Sequence, residues 1–331
     1  MLHVSSTTNT SRSALAVKNL TVHFPSLGRD TNAAIDDLSF TVNPGEIVGL
    51  VGESGAGKTV LARSLLGLPP RPGRITSGQI FFGDQDLLSL GEKEQRKRRG
   101  SEISMIVPNP RNELNPLIPV GNQIATMLQV HRGIPLKQAL AGALEMLRAV
   151  QIPDPLARMQ ALPQELSGGM AQRIVIAMAL VCRPQFIVSD DATSGLDVTV
   201  QAQILELLQK LVRENNSSML FITRDIGIAA HFCDRVAVLY RGKIMEIAPR
   251  DAFFLRPSNP TTIMLMTAFS HNQKLRSLWA PTKAGNSHLP QSGCVYADRC
   301  PLAQEICRSQ APELRDISRG QMTRCHFPVI R

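Results

Sequence analysis

The sequence predicts an α/β protein built on a mainly parallel β-sheet that helices cover on both faces. Two observations lead to this fold class. Short apolar segments typical of buried strands alternate with segments of helical periodicity, and one such strand runs directly into a glycine-rich turn that opens a helix. A third observation, the loop-like and cysteine-rich composition after about residue 257, predicts a small appendage behind the main domain.

The elements of this fold follow one another along the chain. Partial alternation of apolar and polar residues predicts the first strand at 15–24. Short apolar runs predict the remaining strands at 34–42, 45–51, 79–82, 186–189, 218–223 and 235–240. Helices are predicted at 60–68, 170–180 and 200–215, and the apolar spacing is helical throughout 121–150.

Bulk composition limits the class of protein. The chain has 331 residues, of which 43% are hydrophobic, enough for one large domain with an appendage. Only 4% are aromatic, which disfavours recognition of nucleic acid by base stacking, so no nucleic-acid partner is expected. The net charge of +9 is densest at 93–99, where it indicates either a solvated helical face or attraction to an anionic membrane surface.

The chain is expected in the cytoplasm. No apolar run reaches the roughly 18 residues that a membrane-spanning helix needs. Residues 1–13 are rich in Ser and Thr, have no apolar signal core, and are predicted to be a disordered N-terminus. Cysteines in a reducing compartment are free thiols or metal ligands more often than disulfides.

A complete GxxxxGK[ST] motif predicts a phosphate-binding loop. It comprises Gly52, Glu53, Ser54, Gly55, Ala56, Gly57, Lys58 and Thr59. Glycines let backbone N–H groups turn around a phosphate chain, and the helix that starts here adds the positive end of its dipole. Lys58 is predicted to reach the outer phosphates and Thr59 to offer its hydroxyl to Mg²⁺. A second Mg²⁺ ligand is expected at the end of a buried strand, where Asp190 follows 186–189.

A second phosphate-handling motif is the run Leu166-Ser167-Gly168-Gly169-Met170-Ala171-Gln172-Arg173. Together with the first motif it resembles the nucleotide-binding subunits of ABC transporters. The resemblance covers residues 14–257 and implies a P-loop (RecA-like) ABC ATPase core with an antiparallel β subdomain and a helical subdomain inserted at about 110–180. It implies ATP and Mg²⁺ as ligands.

In this family ATP lies between two subunits, so the resemblance assigns roles across a dimer. Ser167, Gly168 and Gly169 would contact the γ-phosphate held by a partner chain. Asp197, in the run 194–197, would belong to the loop that contacts the partner. Phe24 lies where the family often stacks an aromatic ring on adenine, although it is equally expected as a core residue.

Four positions near the γ-phosphate depart from the family pattern. Asp191 stands in place of a catalytic glutamate, and its carboxylate is set back by about 1 Å, a displacement that can cost about a hundredfold in rate. Ala192 replaces a proline, Arg224 replaces a switch histidine, and Pro108 replaces a glutamine that senses Mg²⁺ and water. These departures predict an ATP site that is slow or inactive on its own. A symmetric homodimer with slow turnover through Asp191 is the competing interpretation.

Four cysteines, Cys294, Cys300, Cys307 and Cys325, lie in the predicted extension at 258–331. Four thiolates can bind zinc or an iron–sulfur cluster, and their spacing does not choose between them. The runs around these cysteines resemble the C-terminal extension of dipeptide and oligopeptide importer ATPases, which implies a possible [4Fe–4S] cluster; zinc and unligated thiols are the alternatives. Cys182 and Cys233, in apolar surroundings, are expected in the core.

The narrower resemblance implies the ATP-binding subunit of a bacterial peptide importer. Its implied partners are a second ABC ATPase subunit in a heterodimer, two membrane permease subunits and an extracytoplasmic solute-binding protein. Its implied place is the cytoplasmic face of the inner membrane, as a peripheral subunit. The alternatives are a non-catalytic regulatory subunit, an importer of nickel or opine-type solutes, and a soluble ABC-type ATPase acting on DNA or ribosomes.

Overall fold

The computed structural model describes residues 13–25, 32–269, 292–318 and 320–329. The predicted disordered N-terminus therefore lies almost wholly outside the described residues. Across the described ranges, every helix is too short or too polar to span a lipid bilayer.

The strands form two sheets. A four-stranded antiparallel sheet has the order β2-β1-β4-β5, and an eight-stranded sheet has the order β11-β12-β10-β9-β3-β8-β7-β6. The strands are β1 (Leu15–Phe24), β2 (Asn32–Val42), β3 (Ile47–Val51), β4 (Arg74–Phe82), β5 (Gln85–Asp86), β6 (Ile103–Ile106), β7 (Phe186–Asp190), β8 (Ser218–Ile222), β9 (Arg235–Tyr240), β10 (Lys243–Pro249), β11 (Leu314–Ser318) and β12 (Gln321–Arg324).

Helices cover the larger sheet and form a layer of their own. They are α1 (Lys58–Ser64), α2 (Glu92–Arg98), α3 (Pro110–Glu113), α4 (Val120–Arg132), α5 (Leu136–Ala149), α6 (Pro155–Arg158), α7 (Gly168–Leu180), α8 (Val198–Glu214), α9 (Ile226–Phe232), α10 (Arg250–Leu255), α11 (Pro260–Phe269) and α12 (Glu305–Ser309). Single 3₁₀ turns occur at Leu87–Ser89 and Pro163–Glu165. The predicted α/β class, with an antiparallel β subdomain and a helical subdomain, is confirmed.

The parallel part of the larger sheet positions the predicted phosphate loop. β3 lies between β8 and β9 and pairs in parallel with both, and all five of its residues are buried. β7 pairs in parallel with β8 and β6. Because the carboxyl ends of parallel strands meet at one edge, the segments that follow β3, β6, β7 and β8 come together there.

Several short elements were not predicted from the sequence. Among them are β6, α9 and β10, whose four to seven residues are too few to display a periodicity. α1 also begins earlier than expected, at Lys58, because the last two residues of the loop motif already belong to the helix.

The described part of the segment after residue 257 has more regular structure than its composition predicted. It contains α11 and the β11–β12 hairpin, and β12 pairs with β10 of the main sheet. The buried Glu246 carboxylate secures the junction. It accepts hydrogen bonds from the backbone N–H groups of Ser258 and Asn259 and from the amide of Gln321, at 2.9, 3.0 and 2.9 Å. The predicted boundary near 257 stays a prediction, but the main sheet extends across it.

Candidate nucleotide-binding site

The turn between β3 and α1 opens onto a cavity of about 420 Å³. Its lining brings together residues from all four strand ends at this edge of the sheet: Ala34, Ser54, Gly55, Gly57, Lys58, Thr59, Val60, Pro108, Asn109, Asp190, Asp191, Ser194, Ile222, Thr223 and Arg224. Gly57 is required by the geometry, since its φ is +106° and an added Cβ would lie 2.5 Å from the carbonyl oxygen of Ala34.

Lys58 is folded back onto the loop that carries it. Its Nζ donates hydrogen bonds to the carbonyl oxygens of Gly52 and Glu53, at 2.8 and 2.9 Å. Burial lowers the pKa of Lys58, and the positive charge of Arg224 lowers it further. The ammonium is thus held at the cavity by two neutral acceptors that a phosphate can replace.

Thr59 and Asp190, the two predicted Mg²⁺ ligands, lie together in the cavity. Asp190 ends β7 and is 3% exposed. Burial raises the pKa of Asp190, and a hydrogen bond with the Thr59 side chain partly offsets this effect. A hydroxyl and a carboxylate, both oxygen donors, form a pair that suits Mg²⁺, which binds proteins through one or two such groups together with phosphate oxygens.

Two of the predicted degenerate positions pair with one another. Arg224 follows β8 and Asp191 follows β7, and both the Nε and Nη2 atoms of Arg224 donate to Oδ2 of Asp191, at 3.1 and 2.8 Å. The side chain of Asp191 is 21% exposed and that of Arg224 is 62% exposed. The carboxylate that stands where a catalytic base is expected is therefore already engaged by a fixed cation.

The third degenerate position, Pro108, also lines the cavity, and the structure adds a neighbour that the sequence reasoning missed. Asn109 lines the same cavity and has a φ of +58°, in the left-handed region that asparagine tolerates better than most residues. An amide side chain can contact Mg²⁺ or water, which proline cannot. The sequence signal for this turn is the run Pro108-Asn109-Pro110. Two prolines around an asparagine favour an irregular backbone over a continuous strand or helix.

The second motif lies elsewhere. Ser167 is exposed and caps α7, accepting a hydrogen bond from the backbone N–H of Met170 at 3.3 Å. An added Cβ at Gly169 would lie 2.8 Å from Val200 of α8, so the motif packs against the start of that helix. Asp197 caps the same helix by accepting from the N–H of Val200 at 3.0 Å. None of these motif residues lines the chain's own phosphate cavity.

The comparisons with known proteins agree with this arrangement. The model of the ABC transporter family matches residues 35–194, and that of the oligopeptide/dipeptide transporter C-terminal region matches residues 245–307. The chain is 38% identical to the dipeptide transport ATP-binding protein DppD of Escherichia coli over 322 residues, which is 95% of this chain and 97% of that protein. The chain belongs to the ABC transporter family of ATP-binding proteins.

Two further relatives of this ABC ATPase support the assignment. The oligopeptide transport ATP-binding protein OppD of Salmonella typhimurium is 41% identical over 317 residues, covering 95% of this chain and 94% of that protein. Among solved structures, a dimeric ATP-binding cassette in a post-hydrolysis state with ADP and Pi superposes with a TM-score of 0.64 at 26% identity. That match covers 71% of this chain and 98% of the other.

Phe24, the predicted adenine-stacking residue of the ABC ATPase, does not line the cavity. Its ring is partly buried against the core of the antiparallel sheet, and an added Cβ at Gly73 would lie 2.7 Å from it. The stacking role stays a prediction, while the alternative, a packing role, agrees with the contacts.

Two cysteines of the ABC ATPase lie in the core, as the sequence predicted. Cys182 and Cys233 are fully buried there, which confirms that expectation.

The four tail cysteines, Cys294, Cys300, Cys307 and Cys325, line a single cavity of about 20 Å³. Burial raises the pKa of Cys300 to about 11 and that of Cys325 to about 12.

The tail cysteines do not form a recognisable site for a single metal ion. Within the described ranges, no group of three or more His, Cys, Asp or Glu side chains could hold one. This geometry supports neither the zinc alternative nor the iron–sulfur cluster.

Proposed function

We propose that this ABC ATPase energises the import of peptides across the bacterial inner membrane, as a peripheral subunit on the cytoplasmic face. The observation that carries the proposal is that proteins named for dipeptide and oligopeptide transport match 95% of the chain at about 40% identity, including its C-terminal region. Two membrane permease subunits and an extracytoplasmic solute-binding protein are the proposed partners of such a subunit.

The loop cavity is the proposed Mg-ATP site. Lys58 would exchange its two carbonyl acceptors for phosphate oxygens, while Thr59 and Asp190 would hold Mg²⁺ against the outer phosphates. Backbone N–H groups of the loop and the first turn of α1 supply the remaining donors. ATP itself supplies the phosphoryl group and its leaving group. The protein binds the nucleotide, orients its phosphates and neutralises their negative charge.

The proposed active unit is a heterodimer with a second ABC ATPase subunit. Ser167, Gly168 and Gly169 lie outside the chain's own cavity, so they are free to face triphosphate bound by another chain. The Arg224–Asp191 ion pair supports a local site that binds ATP and hydrolyses it slowly, because the carboxylate that would polarise water is bound to a cation. Turnover would then come from the partner's loop completed by this chain's Ser-Gly-Gly turn.

The first experiment uses the purified full chain alone. We expect it to bind a fluorescent ATP analogue in the presence of Mg²⁺ and to release phosphate slowly. The Lys58→Ala variant is the control for specific binding. Rapid phosphate release by the chain alone would contradict the slow site, and failure of the wild type to bind nucleotide would contradict the ATP site itself.

The transported solute is tested separately, by uptake of a labelled dipeptide and of nickel in cells with and without this subunit. We expect loss of peptide uptake only. Loss of nickel uptake alone would favour the alternative solute class.

The same ion pair favours a second candidate function, that of a non-catalytic regulatory subunit whose ATP is structural. Such a subunit would show no phosphate release even when Asp191→Glu and Arg224→His are combined, whereas a slow catalytic site would gain activity.

For the tail cysteines we propose a [4Fe–4S] cluster. Support comes from the donor set, because four cysteines around one cavity are the usual ligands of such a cluster. Bound iron would keep the sulfurs as thiolates, even though burial raises the pKa values of Cys294, Cys300 and Cys325. Iron and acid-labile sulfide in anaerobically purified protein would support the cluster; colourless, iron-free protein would contradict it, and zinc content would identify the alternative.

A further inference from the structure

The C-terminal extension contacts the phosphate loop through a two-point ion pair. Nη1 and Nη2 of Arg299 donate to the two carboxylate oxygens of Glu53, at 2.7 and 2.9 Å. Glu53 is the second residue of the GxxxxGK[ST] motif, and Arg299 lies 246 residues further along the chain. Paired hydrogen bonds of this kind fix both groups in orientation as well as in distance.

Aromatic residues hold Arg299 in this position. Nη1 also donates to the hydroxyl of Tyr240 at 3.3 Å, and the guanidinium lies 5.8 Å from the centre of that ring. Tyr240 ends β9, the strand paired with β3, and its ring meets that of Tyr296 edge-on at 5.3 Å. The arginine is thus supported from both the extension and the sheet that carries the phosphate loop, and its side chain is only 20% exposed.

Glu53 is poorly suited to a phosphate site if left alone. Its carbonyl oxygen accepts one of the two hydrogen bonds from Lys58, so its backbone belongs to the cradle. Its carboxylate lies close enough to Lys58 for its negative charge to raise the pKa of that lysine, against the larger lowering caused by burial. A free negative charge at this point would repel an incoming triphosphate, and Arg299 neutralises it.

We propose that Arg299 is a positioning residue for ATP binding, which neutralises Glu53 and fixes the loop in the conformation that receives the phosphates. The inference rests on the proposed Mg-ATP site. It makes the extension part of the nucleotide site, and not solely a module attached behind it.

The competing explanation is that the ion pair only anchors the extension to the ATPase core. The two explanations differ in what a second substitution does. If Arg299 acts by neutralising Glu53, removing the carboxylate as well restores ATP binding. If it acts only as an anchor, removing the second half of the pair restores nothing.

The experiment compares Arg299→Ala, Glu53→Gln and the double variant in the full chain, by titration with a fluorescent ATP analogue and Mg²⁺. We expect Arg299→Ala to weaken binding about fivefold, an effect that shrinks at 1 M salt because the repulsion is screened. The double variant should bind within about twofold of Glu53→Gln, because once the carboxylate is gone there is no charge left for Arg299 to neutralise and the two effects are coupled. Arg308→Ala is the matched control, since Arg308 pairs with Asp298 on the exposed surface of the same extension at 3.3 Å.

Each outcome decides a different point. Unchanged binding by Arg299→Ala would overturn the inference, and so would a double variant as weak as Arg299→Ala. A thermal unfolding scan without nucleotide identifies a variant that fails to fold, and the conservative Arg299→Lys then replaces it, with partial retention of binding expected. If the wild type itself bound no ATP analogue, the proposed nucleotide site would fail instead.

Discussion

Arg224 and Asp191 form an ion pair across the ends of two adjacent parallel strands, with Nη2 of Arg224 2.8 Å from Oδ2 of Asp191. Both residues line the phosphate cavity, and both stand where groups acting on the γ-phosphate are expected. Their contact makes the two departures from the family pattern complementary, because the shorter carboxylate meets a cation that does not release its proton near neutral pH. The pair engages the carboxylate that stands at the expected catalytic position, and a γ-phosphate bound in the cavity would compete with that carboxylate for Arg224.

Restoring both positions should raise hydrolysis more than restoring either one. Asp191→Glu alone leaves Arg224 able to hold the longer carboxylate, and Arg224→His alone leaves the carboxylate short. We expect the combined variant to release phosphate at least about tenfold faster than the wild type, a fraction of the loss that a misplaced group can cause. Phosphate release is measured with the chain alone at saturating Mg-ATP.

The control for that gain is Lys58→Ala added to the combined variant, which should remove the new activity because phosphate binding is lost. A combined variant no faster than the wild type would show that the ion pair is not what limits the site.

Binding of Mg²⁺ should weaken on acidification sooner than an ordinary aspartate would cause. Burial raises the pKa of Asp190, so as the pH falls this carboxyl takes up a proton above the usual aspartate value of about 3.9. The protonated form cannot serve as the Mg²⁺ ligand. Affinity for Mg²⁺ is therefore lost as the pH falls through the raised pKa of Asp190, before the ordinary aspartate range is reached. The measurement is the Mg²⁺ dependence of ATP-analogue binding at a series of pH values.

The matched variant for this prediction is Asp190→Asn, which should bind Mg-ATP weakly at every pH while keeping its Mg²⁺-free binding. A wild-type profile that is flat down to the ordinary aspartate range would contradict the assignment of Asp190.

Adding a methyl group should destabilise the folded protein more at one loop glycine, Gly57, than at another, Gly55. At Gly57, φ is +106° and an added Cβ would lie 2.5 Å from the backbone oxygen of Ala34. At Gly55, φ is +79° and the space around an added Cβ is open. We expect Gly57→Ala to lower the free energy of unfolding by about 2 kcal/mol more than Gly55→Ala, because only the first overpacks against backbone. Denaturant unfolding without nucleotide checks this; equal losses would contradict it.

The sequence predicted the parts of the site that follow from a local motif. Lys58 and Thr59 belong to a loop whose spacing specifies a strand before it and a helix after it, and Asp190 ends a run of apolar residues typical of a buried parallel strand. Their convergence follows from strand direction alone. These features need no knowledge of side-chain contacts, so the motifs alone predict that Lys58, Thr59 and Asp190 act at one Mg-phosphate site.

The contacts between distant segments were not predictable in this way. The pairing of Arg224 with Asp191 depends on two loop conformations, including a φ of +49° at Asp191, and on side-chain directions that no spacing reveals. Arg299 meets Glu53 only because the extension folds back beside β9, although composition indicated a loop there. Asn109 could not be predicted as a cavity residue in this way, because the family pattern places its glutamine at Pro108.

The most direct test of the account compares two variants of this subunit in a complex reconstituted with its proposed partner ATPase and permeases. If this chain lends its Ser-Gly-Gly turn to the partner's ATP, Ser167→Arg should reduce transport by more than about tenfold, the scale of losing preorganised phosphate donors. Lys58→Ala, which disables only the local loop, should leave transport within about twofold of the wild type, since a slow site supplies little of the turnover. Abolished transport with Lys58→Ala and intact transport with Ser167→Arg would contradict the account.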